Sequence, residues 1–412
     1  MKQARFALLW LFIFSIPWEN FVLLPGTGTM SRVVGAVALG IGVGITAIYG
    51  RIRPPGVFLL VVALFVFWAG LTVYWSIDPD ESLKRIKTYV QLAAMAWLIW
   101  EVADTEELQG HLLQAFVLAC WGVAAATFMS YMRGAFTAEN RYTAEGLNGN
   151  DVALTLVLGI PMAWYLAALS GSWLGRWLNR AYVPVALVAL LLTASRGGFI
   201  AALAALALIP WTFGRLDWRS KLVLSVLVVA SVWLVAMLVP PSSWERLATM
   251  QSELGSGGTM GYRKTIWNAG LNVAINHPVI GVGAGGFSLA VAPALSRPFA
   301  AHNAFLAVLV EQGVIGLALF ASLFVAAILP SWRLPPLMTR FRVVLIATLI
   351  IGVMPLNWDY VKTTWFILAL LASQGALAKP VRRRHAFTPA LGHGPELARA
   401  VGADVVRSER PT

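Results

Sequence analysis

Apolar residues in this chain fall in long unbroken runs, and charge, proline or glycine interrupts them at intervals. The runs cover approximately residues 6–24, 32–50, 57–75, 84–101, 110–132, 150–170, 180–195, 197–213, 220–240, 303–329, 339–356 and 361–378. A bilayer crossing takes roughly 20 such residues, so the pattern predicts about twelve transmembrane helices. Barrel strands would alternate in polarity, and these runs do not. The seventh and eighth runs meet at Ser195-Arg196-Gly197-Gly198. Merged, they would exceed a membrane span, and an arginine followed by two glycines suits a turn better than a helix interior. Two helices are predicted there.

The expected fold class is therefore an all-α polytopic membrane protein with about 12 transmembrane helices and one large periplasmic loop domain between helices 9 and 10. Helices 1–9 fill residues 1–240, the loop domain 241–302, helices 10–12 residues 303–378, and a basic, disordered cytoplasmic tail 379–412. The loop opens with Pro240-Pro241-Ser242-Ser243 and a flexible Gly255-Ser256-Gly257-Gly258 stretch. An amphipathic helix follows from about Thr259 to Asn276, stopped by His277-Pro278. A glycine-rich turn, 281–286, leads to re-entry at His302-Asn303. The first run begins like a signal peptide but continues into Pro17-Trp18-Glu19-Asn20 without a small-residue cleavage site, so it reads as a retained first helix. No internal repeat is visible.

Composition narrows the class. With 58% hydrophobic and 12% charged residues, the chain has about half the roughly 25% charge of a soluble domain, which excludes a water-soluble enzyme. The net charge of +12 is spread over short loops and the tail, which suits a membrane and not a nucleic-acid partner. Arg51 and Arg53, Arg176 and Arg180, Arg215, Arg219 and Lys221, and Arg333, Arg340 and Arg342 all fall on one side if the N-terminus is cytoplasmic. Both termini then lie inside. The acidic loop Glu101 to Glu107 dissents, but acidic residues weigh little in this rule. The single Cys120 rules out an intrachain disulfide.

The polar groups of interest gather on the outer side. Arg263 and Lys264 open the loop helix, against its dipole, where an anion would bind; the alternative is snorkelling toward headgroups. Arg196, beside its glycines, lines a cavity or anchors the interface. His302, at the mouth of the tenth run beside Asn303, is a candidate general base or an interfacial capping histidine. Glu311 lies nine residues further on, so at 100° per residue it faces away from His302 and sits about 13 Å deeper; it reads as a buried structural group. Asp359 either orients an arginine or the histidine, or is a solvated loop acid. Glu19 is a candidate for the helix interior. Lys84, Arg85 and Lys87 either meet lipid phosphate or snorkel.

Gly281-Val282-Gly283-Ala284-Gly285-Gly286 matches G-x-G-x-x-G, but no strand–turn–helix unit surrounds it, so no nucleotide site is expected. No H-E-x-x-H motif or carboxylate cluster indicates a metal. An outward cavity lined by arginines with one base suits transfer from a lipid-pyrophosphate carrier. Guanidinium groups neutralise the departing pyrophosphate, which needs no acid.

The segments Gly261-Tyr262-Arg263 to Trp267, Asn276-His277-Pro278 to Gly283, and His302-Asn303 to Glu311-Gln312-Gly313 resemble the O-antigen ligase/polymerase superfamily. The shared pattern is R-x-x-x-W, H-P-x-x-G-x-G, H-N-x-x-L and E-x-G, with Ser195-Arg196-Gly197 resembling that family's S-R-G. The resemblance implies metal-independent, inverting transfer of a glycan from undecaprenyl pyrophosphate at the periplasmic face of a bacterial inner membrane, without a cofactor. In the ligases the acceptor is a sugar hydroxyl of lipid A-core. Carried over by position, His302 is the catalytic base and Arg196 and Arg263 bind pyrophosphate, with Asn303, Lys264, Asp359 and Arg85 supporting. Polymerase and protein O-oligosaccharyltransferase readings share this chemistry. A transporter of the lipid-linked glycan is the non-enzymatic rival, disfavoured by the absence of repeats.

Overall fold

A computed structural model describes residues 2–19, 23–24, 28–50, 52–137, 141–144, 147–214 and 262–377, together with scattered helical positions between 218 and 248. The expected ninth span at 220–240 lies mostly outside the described residues. So do the Gly255–Gly258 stretch, the start of the loop helix before Tyr262, and the tail beyond residue 377.

The described chain forms α1 (Lys2–Ser15), α2 (Met30–Tyr49), α3 (Val57–Leu71), α4 (Pro79–Val102), α5 (Glu106–Met132), α6 (Gly149–Leu169), α7 (Trp173–Leu192), α8 (Arg196–Leu206) and α9 (Leu208–Phe213). After the loop come α10 (Arg263–Asn276), α11 (Phe287–Leu295), α12 (Ala304–Ile328), α13 (Pro336–Val353) and α14 (Lys362–Ala376). The departure from an all-helical chain, among the described residues, is a two-residue strand pair joining Leu23–Leu24 to Gly28–Thr29 between α1 and α2. Among the described residues, seven helical stretches are long and apolar enough to cross a membrane: Met30–Ile48, Val57–Trp75, Glu106–Met132, Gly149–Leu169, Arg196–Phe213, Ala304–Trp332 and Pro336–Val353. Helices α4, α7 and α14 stand where spans are expected, packed among these seven.

Local chemistry sets the helix starts. Asp78 caps α4, accepting the Glu81 N–H at 3.1 Å, with Pro79 in the first turn. Thr105, Asn148, Ser172 and Ser195 cap α5, α6, α7 and α8 in the same way. The chain does break at 193–195, as the Arg-Gly-Gly signal suggests. Ala194 takes φ 48° there, and an added Cβ at Gly198 would stand 2.6 Å from Ala153. The glycine is what lets α8 lie this close to α6.

Helix α6 is the centre of the main core, buried along almost its whole length and packed on α5, α7, α8 and α13. A second, smaller hydrophobic cluster lies under α10 and α11 and includes Ile266, Val282, Phe287, Val291 and Val310. It ties the loop segment to the first half of α12. Helix α11 has no counterpart in the sequence-based expectation.

Side-chain contacts define two ends. At one, here the upper end, the starts of α4, α6, α8 and α14 meet the α13–α14 loop. At the lower end Arg53 donates its backbone N–H to Glu101 at 2.9 Å and its guanidinium to the Trp100 carbonyl. The Glu101 carboxylate, at the start of the acidic loop that dissents from the charge rule, thus accepts a backbone N–H, with the Arg53 charge close by.

Candidate active site

The first group is built by the loop segment. Helix α10 opens at Arg263, directly after Tyr262 in the left-handed region (φ 70°). Arg263 and Lys264 therefore occupy a first turn whose free N–H groups favour an anion. After α11 the chain reaches His302, whose φ of 46° is in a region histidine enters more readily than most residues. Asn303 then caps α12, its side-chain oxygen accepting from the Phe305 and Leu306 N–H groups, each at 3.1 Å. Trp267 donates from Nε1 to the Ala301 carbonyl at 2.9 Å, pinning α10 to the turn that carries His302. Burial, and then the positive charge of Arg263, hold the His302 imidazole below its ordinary value of 6.5. A half-buried imidazole in this setting is neutral at pH 7 and able to accept a proton. Lys264 remains exposed.

The glycine turn is a backbone joint. Val282 and Gly283 donate their N–H groups to the carbonyls of Val310 (3.0 Å) and Glu311 (2.8 Å), and Val314 donates to Pro278 at 2.8 Å. These bonds require α12 to break, and it does so at Gly313, with φ 67° and ψ −169°. That backbone region is essentially closed to other residues. A Cβ at Gly313 would lie 2.1 Å from the Val279 carbonyl oxygen, and one at Gly281 would lie 2.5 Å from the Glu311 carbonyl. On its other side the turn is fixed to the start of α4. Ile77 donates to Val282, Thr72 accepts from Ala284 N–H, and Ser82 donates to the Ala284 carbonyl.

The second group sits at this joint. Arg85 donates to Asp359 Oδ2 at 3.1 Å and Tyr89 donates to the same oxygen at 2.9 Å. The Arg85 guanidinium also stacks 3.7 Å from the Tyr360 ring centre. Asp359 is 0% exposed and the Arg85 side chain 14%, which corrects two alternatives: Arg85 does not snorkel, and Asp359 is no solvated loop acid. The carboxylate is the reason, since it draws the cation inward. Glu311, 2% exposed, stands near Arg85 and Asp359 and accepts the N–H groups of Gly285 and Phe287. As expected it is buried on α12, and it belongs to the polar cluster around Arg85.

The third group is at the start of α8. Ser195 donates to Asn150 Oδ1 at 2.9 Å, and Arg196 follows, half-buried. A Cβ at Gly197 would stand 2.9 Å from Pro355, so this corner abuts the loop bearing Asp359. The structure thus joins Arg263 with His302 and Asn303, joins Arg85 with Asp359, and sets Gly197, the residue after Arg196, against the loop of that second pair. Sequence reasoning missed Tyr89 and Tyr360. Tyr89 lies four residues after Arg85, on the same helix face, and that spacing was the available signal.

Residues 181–321 match the O-antigen ligase family. That stretch is similar to an O-antigen ligase domain. The matched stretch holds Arg196, Arg263, His302, Asn303 and the break at Gly313, whereas Arg85 and Asp359 lie outside it. The chain is also similar to the exopolysaccharide production protein ExoQ of Rhizobium meliloti (strain 1021), 25% identical over 283 residues. The alignment covers 64% of this chain and 63% of that protein's length.

Proposed function

We propose that this protein transfers a glycan from undecaprenyl pyrophosphate onto a sugar hydroxyl of lipid A-core, at the periplasmic face of a bacterial inner membrane, with both termini cytoplasmic. The upper end is then the periplasmic end. The observation that carries the reading is the half-buried His302 beside Arg263 at the opening of α12, within the stretch that matches the O-antigen ligase family.

In this reading His302 removes the proton from the acceptor hydroxyl. The acceptor oxygen attacks the anomeric carbon as the bond to pyrophosphate breaks on the opposite face, inverting the centre. Pyrophosphate departs as an anion without taking a proton, and Arg263 and Arg196 neutralise the charge that develops on it. Lys264 adds positive potential, and Asn303 holds the turn at the start of α12. Arg85 and Asp359 position the α13–α14 loop against α4. Holding two membrane-borne reactants at one interface supplies orientation. The reading uses no metal or cofactor and no nucleic acid.

Likeness to a protein named for exopolysaccharide production supports a second reading, in which the acceptor is a growing glycan. Purified full-length protein is to be given an undecaprenyl-pyrophosphate-linked glycan with lipid A-core, with a second copy of the carrier-linked glycan, or with a Ser/Thr peptide. Product on lipid A-core is expected. Product only on carrier-linked glycan would establish the second reading, and no product with any acceptor would end both.

A further inference from the structure

A cavity of about 270 Å³ opens at the upper end beside the Arg85 cluster, and neither His302 nor Arg263 lines it. Its wall comes from the turn after α1, from α2, α4, α5, α6 and α14 and from the α13–α14 loop, with Glu19, Arg32, Gln91, Asp151, Tyr360 and Lys362 among its polar members. All of these positions lie outside the stretch that matches the family.

The charges decide what such a cavity holds. Lys362 pairs with Glu19, and Asp151 accepts the Trp358 Nε1–H at 2.8 Å. Two cations, Arg32 and Lys362, are matched by two carboxylates, so a phosphate would meet as much repulsion as attraction. The wall is mixed, with Leu92, Val123, Leu147 and Val152 among its apolar members, and a lipid tail lodged there would desolvate Glu19, Arg32, Asp151 and Lys362 without offering them a polar partner. Exposed Gln91 offers both a donor and an acceptor and Arg32 a set of donors. Tyr360, whose ring stacks on Arg85, gives an aromatic surface with a polar tip. Balanced charge, mixed donors and acceptors and an aromatic wall match a ring bearing several hydroxyls. The volume is just below the roughly 300 Å³ lower bound of small-molecule sites, enough for a short saccharide and too little for a long glycan.

We infer that this cavity binds an uncharged hexopyranoside unit of one of the two glycan substrates, at a point away from the reacting carbon. The inference rests on the glycan-transfer reading for its role, but binding is tested separately. Because Tyr360 both lines the cavity and stacks on Arg85, the bound sugar would be sensed by the loop that carries Asp359.

The test uses full-length protein in nanodiscs and saturation-transfer NMR with methyl glycosides of glucose, galactose and N-acetylglucosamine, with inorganic pyrophosphate as the anionic probe. At least one glycoside is expected to bind. Arg32→Gln with Gln91→Leu, and separately the cavity-filling Thr88→Phe, should each weaken it by about tenfold, the scale of one or two hydrogen bonds. Unchanged thermal stability would show that these variants fold. Failure of every glycoside to bind, binding indifferent to these substitutions, or displacement of the glycoside by pyrophosphate overturns the inference. In transfer assays the same variants should raise KM for lipid A-core alone if the sugar is the acceptor's, or for the carrier-linked glycan alone if it is the donor's. Unchanged KM for both overturns it. Glycoside binding without any transfer would instead sink the glycan-transfer reading and leave the cavity's ligand standing.

Discussion

Two arginines, Arg342 fully buried and Arg85 largely so, stand at opposite ends of the bundle and are held by opposite means. Arg342, on α13 at the lower end, is 0% exposed. It donates from Nε to Ser331 Oγ at 2.8 Å and from its terminal nitrogens to the carbonyls of Ala327 and Leu371. Those carbonyls lie near the C-terminal ends of α12 and α14, where a cation suits the helix dipole. Arg85, at the upper end, instead faces the carboxylates of Asp359 and Glu311. One oxygen on each carboxylate, Asp359 Oδ1 and Glu311 Oε2, has no hydrogen-bond partner in the protein. The lower arginine is a clamp made with neutral acceptors. The upper one is a charge balance set beside the residues proposed to do chemistry, and two acids around one cation leave it sensitive to change.

The largest effect should come from breaking that balance. Arg85→Met leaves two buried carboxylates without their cation and should cost about 3–5 kcal/mol, the usual scale for removing one partner of a buried pair. Adding Asp359→Asn should recover part of the loss, with a coupling of about 1–3 kcal/mol in a double-mutant cycle read by thermal unfolding in detergent. Purely additive losses would mean that the pair is not an energetic unit. Arg342→Met should cost about 2–3 kcal/mol, because charged donors leave several carbonyls. Glycan transfer per folded molecule should stay unchanged. Loss of transfer without loss of stability would erase the contrast between the two ends.

Gly313→Ala tests the joint that holds the upper end together. The left-handed backbone alone should cost about 1–3 kcal/mol, with the overlap on the Val279 carbonyl added, and the cross-link of α12 to the glycine turn should loosen in hydrogen exchange at Val282 and Gly283. The smallest expected effect is a shift in a pH profile. Transfer should fall on the acid side as His302 takes up a proton, with a limb below the ordinary histidine value of 6.5. Arg263→Gln removes a positive neighbour, so the imidazole should protonate more easily and the acid limb of the residual activity should move to higher pH. An unmoved limb would mean that Arg263 does not act on His302.

Much of this architecture was legible in the chain. Apolar runs placed the helices, and the Ser-Arg-Gly-Gly signal placed the break before α8 because the physics of caps and glycines is local. The loop helix was expected from about Thr259, whereas α10 opens at Arg263 after Tyr262, and His302 was weighed as a cap where Asn303 caps α12. The Arg85–Asp359 pair was not legible, since its members are 274 residues apart and no periodicity joins them. Arg342, counted by its charge as a surface loop residue, is instead buried, because the carbonyls that satisfy it come from two other helices. The meaning of Glu311 was hidden by treating α12 as continuous. The E-x-G spacing marked the break, but only backbone geometry shows that Gly313 turns the chain so that carbonyls of Val310 and Glu311 reach the glycine turn.

The measurement that bears most directly on the proposed chemistry is single-turnover glycan transfer by His302→Ala, compared with wild type at equal folded protein and saturating donor. General-base catalysis contributes about 10²–10⁴-fold, so a loss of that size with donor binding retained is the expected result. Transfer at the wild-type rate would contradict the assignment of His302 as the base, and with it the reading of this site.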